Sequence, residues 1–379
     1  MRIAMFTEVF LPKIDGVVTR VLRTLDELSA MGHQVLVFAP GSPPPVYAGF
    51  EIVKVRSVGF RPWYPEVKIG LPTPKIAEQM IAFRPEVVHA VSPAWLAAYG
   101  VLSAERRDIP LLASYHTQLA SYTKDLHLSW LTSTADRWTT ALHNRAEVNL
   151  CTSPQMVAAA TAHGVTDVRL WPKAVDTVTY HPGARTKRMR RRLTDNHPDK
   201  PLAIYVGRLS NEKNLDDLLP VVHQLPDVRF ALVGSGPARA QLESRFAGTN
   251  TVFTGYLRGH ELAEAYATAD AFLFPSTTET LGFAGLEAMA SGVPVIGANA
   301  GGIPHLFEDQ VQGFLVTPHG SDEIVERLRL LVADSQLRAQ MGRAARTEAE
   351  RFSWRASTEA LVGYYDLAIE RHRRPHKKS

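Results

Sequence analysis

The chain has 379 residues and a formal net charge of +4, with 45% hydrophobic and 21% charged residues. This length exceeds a single compact core and predicts two domains, and no apolar run approaches the roughly 20 residues that a membrane-spanning helix needs. The single cysteine, Cys151, has no disulfide partner within the chain. The amino-terminal MRIAMFTEVF reaches Thr7 and Glu8 before a signal-peptide core could form, so we expect a cytoplasmic protein.

Short β-branched runs alternate with helical patterns along the chain. In the first half the predicted strands are RIAMF, QVLVFA, EIVKV, EVVHA, LLASY and EVNLCT, with helices over residues 17–31 and 93–107. In the second half they are LAIYVG, VRFALVG, TVFTG, AFLFP, PVIGA and GFLV, with helices near 216–224, 239–246, 261–268 and 282–291. This alternation predicts the α/β class, with two Rossmann-like lobes whose parallel sheets face a central cleft.

A basic stretch with prolines separates the two halves. Residues 181–201 (HPGARTKRMRRRLTDNHPDKP) lack apolar periodicity at their ends and directly precede a new buried strand, which indicates a linker. We therefore predict an amino-terminal lobe over residues 1–180 and a carboxy-terminal lobe over 181–352. Residues 353–379 are predicted to form a final helix and a basic tail.

Positive charge is concentrated in two clusters. Residues 185–192 (RTKRMRRR) hold six basic residues, and the final RHRRPHKKS holds five. Such clusters attract polyanions such as an anionic bilayer, although a solvated linker and a disordered tail explain them equally well. Neither cluster interleaves aromatic residues with its charges, so we expect no nucleic-acid partner.

Two basic residues follow the first strand of the second half. LAIYVG ends at Gly207, Arg208 comes next, and a short loop leads to Lys213 at the start of a helix. A guanidinium, an ammonium and backbone amides all favour anions, so this arrangement suits a diphosphate. A solvated basic surface is the alternative interpretation.

The stretch STTETLGFAGLEAMASG, residues 276–292, carries Glu279 and Glu287 among small and apolar residues. It follows a predicted strand, so the chain passes through a loop into a helix that stops at Gly292. Carboxylates would repel a phosphate but match paired sugar hydroxyls. The alternative is that Glu279 caps the helix and Glu287 is an exposed helix residue. The amides expected to cradle a phosphate are those of Leu281, Gly282 and Phe283.

Two positions in the first lobe are further candidates. LPKIDGVVTRV places Asp15 and Gly16 on the loop after the first strand, where a phosphate or sugar could approach the backbone. The loop is not GxGxxG, so it carries no fingerprint of a dinucleotide, and we predict no cofactor. ASYHTQL places His116 at a strand end, where it could face the cleft or serve a structural role.

Together these segments resemble the family 4 retaining glycosyltransferases of GT-B fold, and among them the sulfoquinovosyl-diacylglycerol synthases and neighbouring bacterial lipid glycosyltransferases. The glutamate pair with seven intervening residues is specific for the superfamily. FTEVFLPKIDGVVTR and RLWPKAVD point less specifically to the lipid-sugar subgroup. Ala174 departs from the pattern, since RLWxxGVD usually has glycine there. Further matches are ASYHTQL, NLCTSPQMV, YVGRLSNEKNL, VFTGYLRG and ETLGFAGLEAMASGVPVIGANAGGIP.

The resemblance implies roles for the candidate residues. Arg208 and Lys213 would hold the donor diphosphate, while Glu279 would orient the donor sugar. Glu287 would bind the ribose, and His116 would hydrogen-bond the sugar near its developing charge. The first lobe would bind the acceptor and the second the nucleotide sugar, with the last helix crossing back to the first. The remaining predicted donor contacts are Asp15, Gly16, Gly234, Leu257, Leu281, Gly282 and Phe283.

No Asp-x-Asp occurs in the chain, so we expect the protein's own cations to take the role that a metal has in the other large glycosyltransferase fold, and predict no metal. Retention in such enzymes is attributed to attack on the front face of the sugar, with a donor phosphate oxygen receiving the acceptor proton. Glu279 as a covalent nucleophile is the alternative.

A lipid acceptor requires the first lobe to meet a membrane. GFRPWYPEVKIGLP (59–72) and LHLSWLTSTADRW (126–138) combine aromatic and basic residues, as interfacial segments do, although these aromatics would equally suit a core. The candidate interface residues are Trp63, Tyr64, Trp130 and Leu131.

We therefore expect a peripheral protein on the cytoplasmic face of the cell membrane, in contact with anionic lipid. It would transfer a sugar from a nucleoside-diphosphate donor, such as UDP-sulfoquinovose or a UDP-hexose, to a lipid such as diacylglycerol. One alternative is a GDP-mannose-dependent mannosyltransferase that acts on a lipid or a glycan. The other, from a different class, is a non-catalytic sugar-nucleotide-binding protein.

Overall fold

The computed structural model describes residues 1–13, 16–60, 64–116, 132–279 and 282–374, apart from the side chains of residues 60, 64–67, 132, 133 and 135. The chain folds into two compact units. The first unit comprises Met1–Pro172 together with Trp354–Ser379, and the second comprises Lys173–Ser353.

The elements of the chain up to the second unit follow the predicted alternation of strands and helices. They are β1 (Arg2–Thr7), α1 (Gly16–Ala30), β2 (Gln34–Pro40), β3 (Val46–Tyr47), β4 (Phe50–Val55), β5 (Ser57–Phe60), β6 (Tyr64–Gly70), α2 (Pro74–Phe83), β7 (Val87–Val91), α3 (Leu96–Glu105), β8 (Leu111–Tyr115), α4 (Thr132–His143), β9 (Val148–Cys151), α5 (Pro154–Ala162) and β10 (Val168–Leu170).

The second unit continues the alternation, and a long helix of the first unit ends the chain. The elements are α6 (Lys187–Leu193), β11 (Leu202–Val206), α7 (Leu218–Gln224), β12 (Arg229–Val233), α8 (Arg239–Arg245), β13 (Thr251–Gly255), α9 (Gly259–Thr268), β14 (Ala271–Phe274), α10 (Phe283–Ala290), β15 (Val295–Ala298), β16 (Gly313–Val316), α11 (Ser321–Ala333), α12 (Ser335–Ala349) and α13 (Trp354–Arg373). Short 3-10 turns lie at Pro182–Ala184, Asn211–Lys213, Leu215–Asp217 and Ile303–His305.

The main sheet of the first unit has the strand order β10-β9-β8-β7-β1-β2-β4-β3. Its pairs are parallel except β3 with β4, and β5 pairs with β6 as a separate antiparallel ribbon. The chain reverses its direction of winding between β1 and β7, and the open crevice of a doubly wound sheet lies at such a switch point.

The sheet of the second unit has the order β13-β12-β11-β14-β15-β16 and is parallel throughout. In order of appearance this is 3-2-1-4-5-6, the arrangement of dinucleotide-binding folds, with the switch point between β11 and β14. The predicted α/β class with Rossmann-like parallel sheets is confirmed.

Both faces of each sheet are buried. Successive residues of a strand point to opposite sides, so a continuous apolar run contributes to a hydrophobic core on each face. In β11, Leu202, Ile204 and Val206 belong to one apolar cluster, while Ala203 and Tyr205 belong to another. The residues of β1 alternate in the same way between two clusters of the first unit. Continuous apolar runs such as LAIYV are the sequence signature of this double burial.

The interpretation of residues 181–201 as a linker is wrong, because α6 lies within them. Met189 and Leu193, four residues apart, are fully buried and anchor the helix. Arg190 is also buried, and its guanidinium pairs with Asp270 at 2.8 Å and donates to the Thr268 carbonyl at 2.8 Å. Arg190, one of the six basic residues of this cluster, therefore forms an internal ion pair and is not available to an external polyanion.

The boundary between the two units falls between Pro172 and Lys173, earlier than the predicted boundary at residue 180. Arg346 explains the difference, since its guanidinium donates to the carbonyls of Thr177 at 3.1 Å and Tyr180 at 2.8 Å and ties them to α12. Helix α13 packs against α1 and the strands of the first unit. Within the described ranges, every helix is too short or too polar to cross a bilayer.

Candidate functional site

An ion pair lies at the switch point of the second sheet. Because β11 and β14 are adjacent parallel strands, the loops that follow them meet at one edge. Lys213, in the loop after β11, donates from Nζ to Oε1 of Glu279, in the loop after β14, at 2.5 Å. Each side chain is 19% exposed, so the pair is partly shielded from water and still reachable by a ligand.

Two more hydrogen bonds join the same loops. Asn214 donates from Nδ2 to the Thr277 hydroxyl at 3.1 Å, and the Thr278 hydroxyl donates to the Glu212 carbonyl at 3.2 Å. Asn214 has a φ of 52°, a left-handed conformation that asparagine tolerates well. Three consecutive residues, 212–214, thus contact three consecutive residues, 277–279, and we call these segments the interlocked loops.

A third loop, after β15, fixes the backbone of Glu279. The Gly302 amide donates to the Glu279 carbonyl at 2.6 Å. Gly301 has a φ of 59°, and a Cβ there would lie 2.7 Å from the same oxygen. The glycines of this loop therefore allow a close approach that positions the carboxylate.

Arg208 begins the loop after β11 and is exposed. Tyr205, buried in β11, donates its hydroxyl to the Arg208 carbonyl at 3.0 Å and so holds the backbone of this residue. Burial raises the pKa of Tyr205 well above its ordinary value, with the neighbouring Glu279 adding to the effect, so the hydroxyl keeps its proton. The sequence pattern did not reveal this contact, since Tyr205 reads as an ordinary strand residue.

Glu287 lies in α10 and accepts a hydrogen bond from the Tyr266 hydroxyl at 2.9 Å. Tyr266, in α9, is fully buried, and burial together with Glu287 raises its pKa well above the ordinary value. Its hydroxyl therefore keeps its proton and donates a hydrogen bond to the Glu287 carboxylate, which it orients. Glu287 is only partly exposed, so its interpretation as a solvated helix residue is wrong, and Tyr266 is a contributor that the sequence did not reveal.

Gly282 precedes α10, which begins at Phe283, one residue after the predicted start at 282. Its φ is 63°, and a Cβ would lie 2.6 Å from Cδ1 of Leu306, so backbone conformation and packing require glycine here. Gly234 has a similar explanation, since a Cβ would lie 1.9 Å from the Gly207 carbonyl oxygen. The side chain of Leu257 lies in the hydrophobic core, which leaves only its backbone for a donor contact.

The remaining predicted residues lie in the first unit or outside the described ranges. Gly16 is the exposed first residue of α1, rather than part of the preceding loop. His116 follows β8 and is almost fully buried, with Nε2 2.9 Å from the Ser114 hydroxyl. The predicted residues outside the described part of the chain are Asp15, Trp63, Trp130 and Leu131, with Leu281 and the side chain of Tyr64.

A partly buried carboxylate in the first unit was not predicted. Glu8 follows β1 and accepts hydrogen bonds from four successive amides at the start of α3, among them those of Trp95 at 2.7 Å and Ala97 at 3.0 Å. It joins the loop after β1 to the loop after β7, the two strands at the switch point of this sheet. Among the residues described, no group of three or more His, Cys, Asp or Glu side chains could hold a metal ion.

Known protein families match both parts of the chain. The family "Glycosyltransferase Family 4" matches residues 14–179, and "Glycosyl transferases group 1" matches residues 188–348. Sulfoquinovosyl transferase SQD2 of Arabidopsis thaliana is 38% identical over 97% of this chain and 74% of its own length. A GDP-mannose-dependent alpha-mannosyltransferase of Corynebacterium glutamicum is 33% identical over 96% of this chain and 88% of its own.

Solved structures show the same fold. Sucrose-phosphate synthase from Thermosynechococcus elongatus aligns with a TM-score of 0.80 at 21% identity, covering 97% of this chain and 99% of that one. Anabaena Alr3699/HepE, in complex with UDP, aligns with a TM-score of 0.77 at 18% identity, covering 97% and 100%. The chain therefore belongs to glycosyltransferase family 4 and has the GT-B fold. It is a glycosyltransferase that uses a sugar-nucleotide donor, and the non-catalytic alternative is set aside.

Proposed function

We propose that the protein transfers a sugar from a nucleoside-diphosphate sugar to a lipid hydroxyl, with diacylglycerol as the acceptor and UDP-sulfoquinovose or a UDP-hexose as the donor. The observation that carries the proposal is the Lys213–Glu279 pair at the switch point, in a chain similar along its length to a plant sulfoquinovosyl transferase.

The cations of the loop after β11 account for recognition of the diphosphate. The Lys213 ammonium has three N–H donors, so it can keep its bond to Glu279 and still donate to phosphate oxygens. Arg208 supplies a second cation from the same loop. Charge-assisted hydrogen bonds contribute about 1.5–3 kcal/mol each, and those to the leaving diphosphate strengthen as its charge develops.

The two carboxylates account for recognition of the sugar and the ribose. Glu279 is held by Lys213 through its side chain and by Gly302 through its carbonyl, so its acceptor oxygens are pre-oriented for sugar hydroxyls. Glu287 is oriented by Tyr266 and takes the ribose hydroxyls. Because Glu279 is held by a cation, we assign it a positioning role, with the acceptor proton passing to a donor phosphate oxygen. A glycosyl adduct on Glu279, trapped and found by peptide mass spectrometry, would overturn this assignment.

Exposed tryptophans in the first unit support contact with a membrane. Trp95 is 58% exposed and Trp138 is 49% exposed. The Trp138 indole donates to the Ala94 carbonyl at 3.3 Å, so the two side chains belong to one region of the surface. Amphipathic indoles favour the bilayer interface, and Trp138 ends one of the two predicted interfacial segments.

Vesicle sedimentation tests the membrane contact. We expect binding to anionic liposomes that weakens with salt, and a loss of binding when Trp95 and Trp138 are both replaced by alanine. Tyr256→Ala is the matched control, because Tyr256 is an equally exposed aromatic residue of the second unit. Equal binding to neutral vesicles at every salt concentration would contradict the proposal.

Donor and acceptor are tested in sequence. Thermal-shift measurements with a panel of nucleotide sugars identify the donor, because a ligand that binds only the folded state raises the unfolding temperature. Transfer to diacylglycerol with the best donor is then followed by mass spectrometry of the lipid product. We expect UDP-linked sugars to stabilise the protein and a glycosyl-diacylglycerol to form.

A GDP-mannose-dependent mannosyltransferase is the second candidate, and the likeness to the Corynebacterium protein favours it. In that case GDP-mannose alone would stabilise the protein, and mannose would appear in the product. The ion pair and the carboxylates would keep their roles, since both candidate donors carry the diphosphate, the ribose and the sugar hydroxyls that these residues are proposed to bind.

A further inference from the structure

Four buried polar side chains of the first unit form a continuous hydrogen-bond chain. The Tyr365 hydroxyl lies 2.8 Å from Nδ1 of His89, and Nε2 of His89 lies 2.9 Å from the Ser114 hydroxyl. That hydroxyl lies 2.9 Å from Nε2 of His116. All four residues are fully buried or nearly so. The chain joins the final helix to the histidine predicted to contact the sugar.

The fold explains why these residues meet. Ser114 and His116 are two residues apart at the end of β8, so they point to the same side of the sheet. His89 lies on the adjacent strand β7, and α13 brings Tyr365 against this side. The Trp171 ring packs against both imidazoles, at centroid distances of 5.9 Å from His89 and 5.6 Å from His116.

Both imidazoles are neutral near pH 7. Burial lowers the pKa of His89 to about 3. Burial, with the nearby Arg20 guanidinium adding to it, holds the pKa of His116 well below its usual range. Each ring therefore carries one N–H, and the hydrogen-bond chain decides which nitrogen bears it.

The Tyr365 hydroxyl decides the direction of donation. In the described part of the chain its hydrogen-bond partner is His89, so a buried O–H proton is satisfied only if Tyr365 donates to Nδ1. His89 then donates from Nε2 to Ser114, and Ser114 donates to Nε2 of His116. The opposite direction would leave two groups without a partner among the described residues, the phenolic proton of Tyr365 and the Nδ1 lone pair of His116, whereas this direction leaves only the Nδ1–H of His116.

We propose that Tyr365 is a positioning residue that acts through His89 and Ser114 to hold His116 as its Nδ1–H tautomer. Among the described residues Nδ1 of His116 has no hydrogen-bond partner, although it is buried. This N–H is the donor that meets an oxygen of the sugar nucleotide. The inference rests on the proposed function for its substrate, while the tautomer is a property of the free protein.

Histidine nitrogen chemical shifts test the tautomer directly. In protein labelled with ¹⁵N-histidine, two-bond ¹H–¹⁵N spectra distinguish a protonated Nδ1 from a protonated Nε2, and the signal lost in His116→Gln assigns the residue. We expect wild-type His116 to be protonated at Nδ1. Tyr365→Phe and Ser114→Ala should each give a mixture of tautomers at His116.

Tyr364→Phe is the matched control. Tyr364 is the preceding residue of the same helix, and its hydroxyl donates to the Leu170 carbonyl at 3.0 Å, outside the hydrogen-bond chain. This variant should leave the His116 signals unchanged. Circular dichroism and thermal unfolding show which variants are folded, and the wild-type spectrum decides the tautomer even if a variant does not fold.

Kinetics connect the tautomer to the reaction. With the donor identified by thermal shift, Tyr365→Phe should lower kcat by about tenfold, the scale of one lost neutral hydrogen bond, with little change in the KM of the acceptor. Tyr364→Phe should stay within twofold of the wild type, a change of about 0.4 kcal/mol.

Three outcomes would overturn the inference: wild-type His116 protonated at Nε2, a folded Tyr365→Phe variant with unchanged His116 signals, or equal kcat for the two tyrosine variants. If the proposed function fails and no transfer is found, the spectra still show whether Tyr365 controls the tautomer. If transfer occurs and the tautomer does not respond, the inference alone is wrong.

Discussion

The two units position polar residues near their switch points in opposite ways. In the second unit Lys213 and Glu279 carry full charges and pair on partly exposed loops. In the first unit His89 and His116 are neutral, buried and connected through the Ser114 hydroxyl. The ion pair of the second unit depends on charge, so removing one of its charges should lower the rate of sugar transfer. The hydrogen-bond chain in the first unit depends on which atom carries each proton, so the loss of one hydroxyl should change the tautomer of His116.

The largest effect is expected from Lys213→Ala. Loss of the ammonium removes a contact to the departing diphosphate and leaves Glu279 without its partner, so transfer should fall by about 10²- to 10³-fold or more. Initial rates of transfer measure the effect, and an unchanged unfolding temperature shows that the fold is intact.

The control is Lys200→Ala in the same unit. Lys200 pairs with Asp227 at 2.6 Å on the open surface, where water screens such pairs and they contribute little to stability. Transfer by this variant should equal that of the wild type. Equal losses in the two lysine variants would show that general charge, rather than the ion pair at the switch point, governs the activity.

The next effect concerns the backbone where the loop after β11 begins. Gly234→Ala should lower the free energy of unfolding by about 2–4 kcal/mol, because the added Cβ would overlap the Gly207 carbonyl and the backbone has a φ of 140°. Gly248→Ala is the control, with a φ of 75° and open space around the Cβ, and should lose only about 1–2 kcal/mol. Urea unfolding measures both, and equal losses would show that the close approach carries no cost.

The buried histidines of the first unit should make stability depend on pH. Burial lowers the pKa of His143 to about 4, while the unfolded chain has the ordinary value of 6.5. The unfolded state therefore binds more protons as pH falls below 6.5, and stability present above that pH is lost down to about pH 4. At pH 5 the loss is about 2 kcal/mol for such a histidine.

Unfolding curves from pH 7 to pH 5 test this expectation. His143→Gln should show a shallower loss of stability with falling pH than the wild type. His163→Gln, at an exposed position just beyond α5, should keep the wild-type slope. A slope that is the same in all three proteins would contradict the assignment of His143 as a neutral buried group.

The smallest effect is expected from chelation. The sequence has no Asp-x-Asp and the cations of the loop after β11 can neutralise the leaving group, so transfer after treatment with EDTA should equal that of the untreated protein. A loss of activity that Mg²⁺ or Mn²⁺ restores would refute metal independence and assign part of the charge neutralisation to an ion.

The parts of the site that could be predicted lie at strand ends. Lys213 and Glu279 follow buried apolar strands, and the carboxyl ends of neighbouring parallel strands meet, so their proximity follows from local patterns. The contacts of Tyr266 and Tyr365 could not be predicted in this way. Each is an ordinary apolar helix position in the sequence, and His89 and Tyr365 are 276 residues apart.

The error at α6 has a different origin. Six basic residues between 185 and 192 outweighed the two apolar positions Met189 and Leu193, whose spacing of four is itself helical. Asp270 compensates for the burial of Arg190 and lies at the start of β14. The two residues come together only in the folded sheet, so the sequence pattern alone does not predict the pair. Charge patterns predict exposure only where no distant carboxylate compensates for them.

The interlocked loops limit how this enzyme can be re-engineered. Residues 212–214 and 277–279 contact one another one to one, so an insertion in either loop would move every partner out of register. A donor-binding loop grafted from a relative would have to arrive together with its counterpart. The two segments would have to be replaced together as one unit, although more than sixty positions of sequence separate them.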